Sequence, residues 1–395
     1  MARPVVLTFV HYYLPGYKSG GPIRTLANLV DHLGEELDFR IVTADRDATD
    51  TAPYPDVAPD AWNAVGKARV FYASPGARGV GDLAHVVAGT PHDVLYFNSF
   101  FDAVFTVRTL VGRAMGRFPR RPVIIAPRGE LAPSALAYKR WKKEPYLKVF
   151  RALGMQRAVT WQASSQYEAD DILRVMRPPP ASVRIAPNLP AAERVRAPRG
   201  SRGAEDGPLR IVFLARVSPV KNLDFALRVL GRVTAPVELD IYGPVRDPAY
   251  WARCEEMIDG LPPHVKARYH GPVEPARVPG VMADHDLFFL PTQGENYGHV
   301  IPEALSAGTP VLIANTTPWR GLEAAGAGWD LPLDDEASFA ARIEHYAALP
   351  PARREAMRES AYEYVCQRLA APGLVEANRE LFMAGLTRTE TEEQR

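Results

Sequence analysis

Short apolar runs alternate along this chain with longer segments in which apolar residues recur every three or four positions. The runs at 4–10, 39–43, 94–97, 123–126 and 159–162 have strand length and little polar alternation, which suits strands buried on both faces of a parallel sheet. After the first run comes a Gly- and Pro-rich stretch at 12–22, then Ile23, Leu26, Ala27, Val30 and Leu33 at helical spacing. A second strand-loop-helix series begins at 209–215 and continues at 237–242, 287–290 and 311–314. Between the two series, 191–208 is polar, Gly-rich and aperiodic, the best linker in the chain. The pattern predicts an α/β protein of two Rossmann-like parallel-sheet domains, residues 1–190 and 209–372, joined by the linker at 191–208 and implying a cleft between them. Residues 374–386 read as a helix, with a frayed end at 387–395, so 373–395 forms a separate tail.

Composition adds bounds. With 395 residues and 47% hydrophobic content, the chain exceeds one ordinary core. Cys254 and Cys366 stand far apart with no Cys-x-x-Cys or Cys/His grouping, which argues for a reducing compartment and against structural zinc. The early apolar run is too short to span a bilayer, and neither a signal peptide nor a transmembrane helix is predicted. A cytoplasmic location follows as the expectation. The chain's net charge of +1 conceals a basic block: from 113 to 157, twelve Lys and Arg meet only Glu130 and Glu144, a local +10. Tyr138, Trp141, Tyr146, Leu147 and Phe150 interleave with these cations. Such a segment suits either the anionic face of a membrane or a solvated helix whose aromatics reach the core. No motif accompanies the charge that would indicate nucleic acid.

The chemistry concentrates in the second half. Glu295 and Glu303 follow the run 287–290, with Pro302 acceptable near a helix start and Gly308 at a helix stop. Glu295 thus sits on a loop at the carboxyl edge of a strand, and Glu303 opens the next helix. Ligands of open parallel sheets bind at that edge, helix-start amides attract phosphate, and carboxylates accept hydrogen bonds from sugar hydroxyls. Taken alone, a pair at this spacing reads rather as a first-turn acid that suits the helix dipole and a solvated loop charge. Between them, the amides of Asn296, Tyr297, Gly298, His299 and Val300 can complete a phosphate cradle. Arg216 and Lys221 follow the strand at 209–215, where two cations can neutralise a diphosphate or simply flank a turn. Gly20 and Gly21 leave room for a backbone to approach a phosphate. The acid pairs in 45–47 and 284–286 share the spacing of metal-binding transferases, a weak signal because the spacing is common. His299 has no Ser or Cys partner signature, and no P-loop or serine elbow is present.

Residues 286–310 resemble, without a gap, the donor-binding motif of retaining glycosyltransferases of the large family usually numbered four, whose architecture is GT-B. The segment 213–222 resembles that family's phosphate-binding Arg and Lys segment. The resemblance implies a retaining, metal-independent glycosyltransferase of EC 2.4, with no cofactor and a UDP- or GDP-sugar as donor. It gives catalytic roles to Arg216, Lys221 and Glu295, with Glu295 touching the transferred sugar and Glu303 clasping the ribose. Gly20 and Gly21 would face the diphosphate, while Tyr242, Gly243, His270 and Gly271 lie at turns that contact the base. The family's terminal helix often crosses back to the first domain. One departure stands out: where many relatives carry a histidine after the strand at 123–126, this chain has Pro127, Arg128, Gly129, Glu130 and Leu131. Arg128 and Glu130 then either handle the acceptor or the donor sugar, or serve structure, with Arg128 paired to Glu130 or to the chain around it. The stretch 127–131 with its Lys-rich sequel, 317–322 and 326–329 resemble bacterial surface-polysaccharide and lipopolysaccharide transferases. The implied acceptor is a glycan or lipid-linked glycan at the inner membrane face. The alternatives are a silent nucleotide- or glycan-binding subunit of an envelope assembly, or another GT-B enzyme such as an epimerase.

Overall fold

A computed structural model describes residues 3–137, 140–191, 207–370 and 372–393. The chain divides into two compact units, one comprising Met1–Ala192 and Pro372–Arg395, the other Glu193–Ala371. Most of the linker predicted at 191–208 lies outside the described residues, as do Tyr138 and Lys139 of the basic block.

The first unit is built on eight strands: β1 (Val5–Phe9), β2 (Asp38–Ala44), β3 (Trp62–Val65), β4 (Ala68–Ala73), β5 (Val94–Phe97), β6 (Val123–Ile125), β7 (Thr160–Ala163) and β8 (Val183–Ile185). Their spatial order is β3-β4-β2-β1-β5-β6-β7-β8. Neighbouring residues along these strands enter opposite cores: Val6, Val94, Tyr96 and Ile124 pack on one face, Leu7, Leu95, Phe97 and Ile125 on the other. This explains why the runs are apolar without alternation. The sheet is not wholly parallel, because β3 runs antiparallel to β4. Only Gly66 and Lys67 join them, with Gly66 at φ 55°, and a link that short permits a hairpin but no crossover. The half-exposed β3 gave no apolar run, and β4, though residues 70–73 are apolar and mostly buried, escaped the sequence reading.

The terminal helix Leu374–Glu393 belongs to this unit. It continues past the apolar periodicity that ended at Leu386, since Thr, Arg and Glu, though polar, sustain a helix at little cost. Phe382 meets the edges of Phe39 and Tyr96 at 5.9 and 5.2 Å, and Asn378 donates to the Pro187 carbonyl at 2.8 Å.

The second unit holds six parallel strands: β9 (Leu209–Leu214), β10 (Val237–Tyr242), β11 (Val265–Gly271), β12 (Leu287–Leu290), β13 (Val311–Ala314) and β14 (Gly328–Leu331). Their order is β11-β10-β9-β12-β13-β14. Strand order reverses between β9 and β12, so the carboxyl ends of these two neighbours flank a topological switch point, the ligand-binding crevice of open α/β sheets. Residues His270 and Gly271, read from sequence as a turn, instead complete β11. The pairing of Tyr242 with Gly271 follows a register shift that lets the strand run on.

Candidate functional site

The loop after β9 and the loop after β12 are stitched together. Asn222 donates from Nδ2 to the Pro291 carbonyl at 2.9 Å, and the Val220 carbonyl accepts from the Gln293 amide at 2.8 Å and from Thr292 Oγ1 at 3.0 Å. Asn222 is buried with φ 62°, a left-handed position that asparagine tolerates better than most residues. Thr316 Oγ1, beyond β13, closes the set on the Thr292 carbonyl at 2.6 Å.

This stitching brings Lys221 Nζ onto Glu295 Oε1 in direct contact, with side chains only 12% and 15% exposed. Residues separated by 74 positions thereby form one ion pair at the switch point. Arg216 sits two residues beyond β9 and reaches solvent, and among the described residues no side-chain hydrogen bond or ion pair occupies its guanidinium. The surrounding protein disfavours its charge, chiefly by desolvation, Glu295 favours it and Arg246 opposes it; a guanidinium remains a cation throughout. The site therefore combines one unengaged cation with a lysine-carboxylate pair.

The helix after Glu295 begins earlier than read from sequence. It spans Val300–Ser306, and Glu303 lies in its first turn rather than opening it. Pro302 is then the third helical residue, still within the turn that lacks internal acceptors. Gly298 has φ 73°, and a Cβ there would approach Ile301 Cδ1 to 2.9 Å and Glu295 Cγ to 3.4 Å. Glycine thus allows the loop to fold tightly against Glu295. Trp319 Nε1 donates to the Tyr297 carbonyl at 2.6 Å, and the Tyr297 ring meets His299 and Trp319 with centroids 4.7 and 5.7 Å apart. Asn296 and Val300 are part-buried in the same loop and helix start.

Tyr242, Gly243 and Gly271 lie at the carboxyl ends of β10 and β11. At Gly243, φ is 133° and a Cβ would fall 1.9 Å from the Ala215 carbonyl oxygen, so the chain can pass the start of the Arg216 loop only without a side chain. The Tyr242 ring stacks on His270 at 4.7 Å and 15°. Below it, Asp240 accepts from His270 at 2.6 Å and His285 at 3.0 Å. Burial would raise the Asp240 carboxyl, but these hydrogen bonds prevail and hold it down at about 2.

The remaining predicted residues belong to the first unit. Gly20 precedes the helix Gly21–Leu33 with φ 71° and ψ −124°, a conformation that suits glycine, and nothing lies within 4 Å of where its Cβ would stand. Arg128 donates to Asn98 Oδ1 and Asn188 Oδ1, each at 2.6 Å, and to the Tyr96 hydroxyl at 2.5 Å. It makes no pair with Glu130. That carboxylate accepts instead from Ser99 Oγ and the amides of Phe100 and Phe101 at 2.6, 2.7 and 3.0 Å. Burial pushes its pKa up against these hydrogen bonds. Both side chains are thus hydrogen-bonded within the first unit. One pairing escaped the sequence reading: His11, just past β1, faces Asp102 with Nδ1 3.2 Å from both carboxylate oxygens. A histidine at a strand's carboxyl end was the visible signal, but its acid lies 91 positions away.

Of the basic block, Phe150 and Leu147 enter the core, while Trp141 on the same helix, Arg140–Ala152, is 73% exposed. No described helix is long and apolar enough to cross a membrane, and no described group of three or more His, Cys, Asp or Glu could hold a metal ion.

Residues 196–364 match the family model described as Glycosyl transferases group 1. A D-inositol 3-phosphate glycosyltransferase of Rhodococcus erythropolis is 28% identical over 125 residues, 30% of this chain and 28% of that protein. Across the curated relatives matched, the alignments span 28% to 41% of the relative's own length. Among solved structures, Anabaena HepE in complex with UDP and glucose superposes with a TM-score of 0.70 at 16% identity, covering 97% of this chain and 99% of that one. WaaG, a glycosyltransferase involved in lipopolysaccharide biosynthesis, gives 0.65 at 14% identity over 94% and 97%. The fold is that of the two Rossmann-like domains of GT-B glycosyltransferases.

Proposed function

With residues 196–364 a domain of the glycosyl transferases group 1 family on a GT-B fold, we propose that the protein is a retaining, metal-independent glycosyltransferase. It moves a sugar from a nucleoside diphosphate sugar to an acceptor hydroxyl during assembly of a bacterial surface polysaccharide. The observation that carries this reading is the meeting of Lys221 and Glu295 at the β9/β12 switch point, beside the unengaged Arg216. A diphosphate offers Lys221 a stronger anionic partner than one carboxylate, and sugar hydroxyls offer Glu295 donors in exchange. Donor binding thus replaces the ion pair rather than stranding either charge.

As the bond from the anomeric carbon to the diphosphate oxygen breaks, negative charge grows on that oxygen. Arg216 and Lys221 stabilise it most when the charge is greatest, which lowers the barrier rather than merely tightening binding. The acceptor oxygen bonds to the anomeric carbon on the face the diphosphate leaves, and its proton passes to the departing phosphate oxygen. In this reading Glu303 clasps the ribose, the amides of 296–300 hold phosphate, and Tyr242, Gly243 and Gly271 contact the base. Gly20 and Gly21 approach the diphosphate.

HepE's complex with UDP and glucose favours a UDP-sugar as the first donor to test. WaaG's role in lipopolysaccharide biosynthesis and the exposed cations and Trp141 of the basic block support a lipid-linked acceptor at the inner membrane face. The test is thermal melting of the purified protein with UDP-, GDP-, ADP- and TDP-sugars, without metal and then with it. The responsive donor is then used in a transfer assay that reads the anomeric configuration of the product. A selective rise without metal and a retained configuration are expected. Inversion, or a strict metal requirement, would overturn the mechanism, and binding without turnover would favour a silent subunit.

A further inference from the structure

The first unit carries a second feature built for anions, separate from every residue assigned to the donor. Where the helix Arg140–Ala152, the turn Met155–Arg157 and the end of the helix Gln166–Met176 come together, they line a pocket of about 390 Å³. Lys148, Arg151, Arg157 and Arg177 line it with Gln156 and Met176, and no acid does. All four cations are exposed, and among the described residues none forms an ion pair. The one hydrogen bond from their side chains is a long contact, Arg151 Nη1 to the Val175 carbonyl at 3.4 Å.

Gln156 is the one uncharged polar side chain among the lining residues. Gln156 is only 7% exposed and its Oε1 is buried with no hydrogen-bond partner. A buried polar atom in that state is uncommon and calls for an occupant. Arg177 caps its helix at φ 51°, a conformation few residues other than glycine adopt. Four cations grouped without a counter-charge repel one another, and an anion placed among them removes that cost. Guanidinium forks match phosphate oxygens in pairs, and the lysine adds a mobile point charge.

We propose that this pocket binds a terminal phosphate group, a phosphomonoester or diphosphate, borne by an acidic lipid or by a soluble compound. Val149 on the helix Arg140–Ala152 and Leu153 just past its end are 57% and 67% exposed, apolar neighbours that would suit a phosphate standing at a lipid surface. The inference is independent of the donor reading, since none of the lining residues takes part in it.

The test uses the full chain and the double variant Lys148→Ala/Arg157→Ala, whose truncated side chains have no partners to strand. Inorganic pyrophosphate is titrated calorimetrically into both, and into Arg216→Ala, which weakens any contribution from the donor site. Cosedimentation is measured with phosphatidylcholine vesicles containing either phosphatidic acid, a phosphomonoester, or phosphatidylglycerol, a phosphodiester. The expected result is that Arg216→Ala keeps a pyrophosphate-binding component which the double variant weakens by about tenfold or more, or that the double variant loses a preference for phosphatidic acid vesicles. The first outcome alone assigns a soluble phosphate, the second a lipid headgroup. Absence of both, with the double variant binding pyrophosphate and phosphatidic acid vesicles as the parent does, would overturn the pocket as a phosphate site.

Discussion

Lys221 and Arg128 are both cations at a carboxyl sheet edge, yet their surroundings differ. Lys221 has one partner, an acid that sugar hydroxyls can satisfy instead. Lys221→Ala should lower kcat by about 10²–10³-fold, the usual cost of removing one preorganised transition-state charge, while the melting temperature moves by a few degrees at most. A parallel collapse of activity and stability would remove Lys221 from the mechanism. Arg128 instead feeds three buried acceptors, and one of them, Tyr96, donates onward to Gln162 at 2.6 Å. Arg128→Ala should cost about 3 kcal/mol in urea unfolding, because charge-assisted hydrogen bonds are lost and buried acceptors are left unpaired. A raised acceptor KM with unchanged unfolding would restore the acceptor role. The two residues were indistinguishable by type and local spacing; only their partners, 74 and 30 to 60 positions away, separate them.

At the scale of elements, strand β10 couples a structural charge to the candidate base-contacting edge. Asp240 holds His270, on which Tyr242 stacks. Its carboxyl is held at about 2, below the ordinary 3.8, so ionised Asp240 stabilises the fold above pH 4, and that contribution fades as pH falls from 4 towards 2. Asp240→Asn should be less stable than the parent by about 2 kcal/mol at pH 6, with the gap closing near pH 2 in urea melts. A gap that persists at pH 2 would mean that packing, not charge, is responsible. The elements themselves were legible wherever a strand is buried on both faces: β5, β12 and β13 coincide with their apolar runs, and β10 coincides with the segment 237–242 although its burial alternates. Strands β3, β8, β11 and β14 were not, since edge strands mix polar residues into the run, as in the Lys266, Arg268 and His270 of β11; β4 was missed although residues 70–73 are apolar.

At the scale of the whole molecule, the last helix completes the first unit after the chain has built the second. Deleting 374–395 removes Phe382 and Leu381 from the first unit's core, and large buried side chains are each worth about 2–5 kcal/mol. Hydrogen exchange should therefore accelerate in β1, β5 and β6 while β9, β12 and β13 keep their protection. Equal acceleration in both units would show that the helix supports the entire chain. The sequence by itself determined the class of fold, the two series of strands and the short segments that carry charge and glycine. Those properties are local, set by apolar runs, helical spacing and backbone freedom. Only the tertiary structure decided that β9 lies beside β12, that Lys221 meets Glu295 there, that Arg128 turns inward to Asn98 and Asn188, and that His11 finds Asp102. Strand order and side-chain partners depend on contacts between residues tens of positions apart, and no local pattern encodes which distant partner a charge will meet.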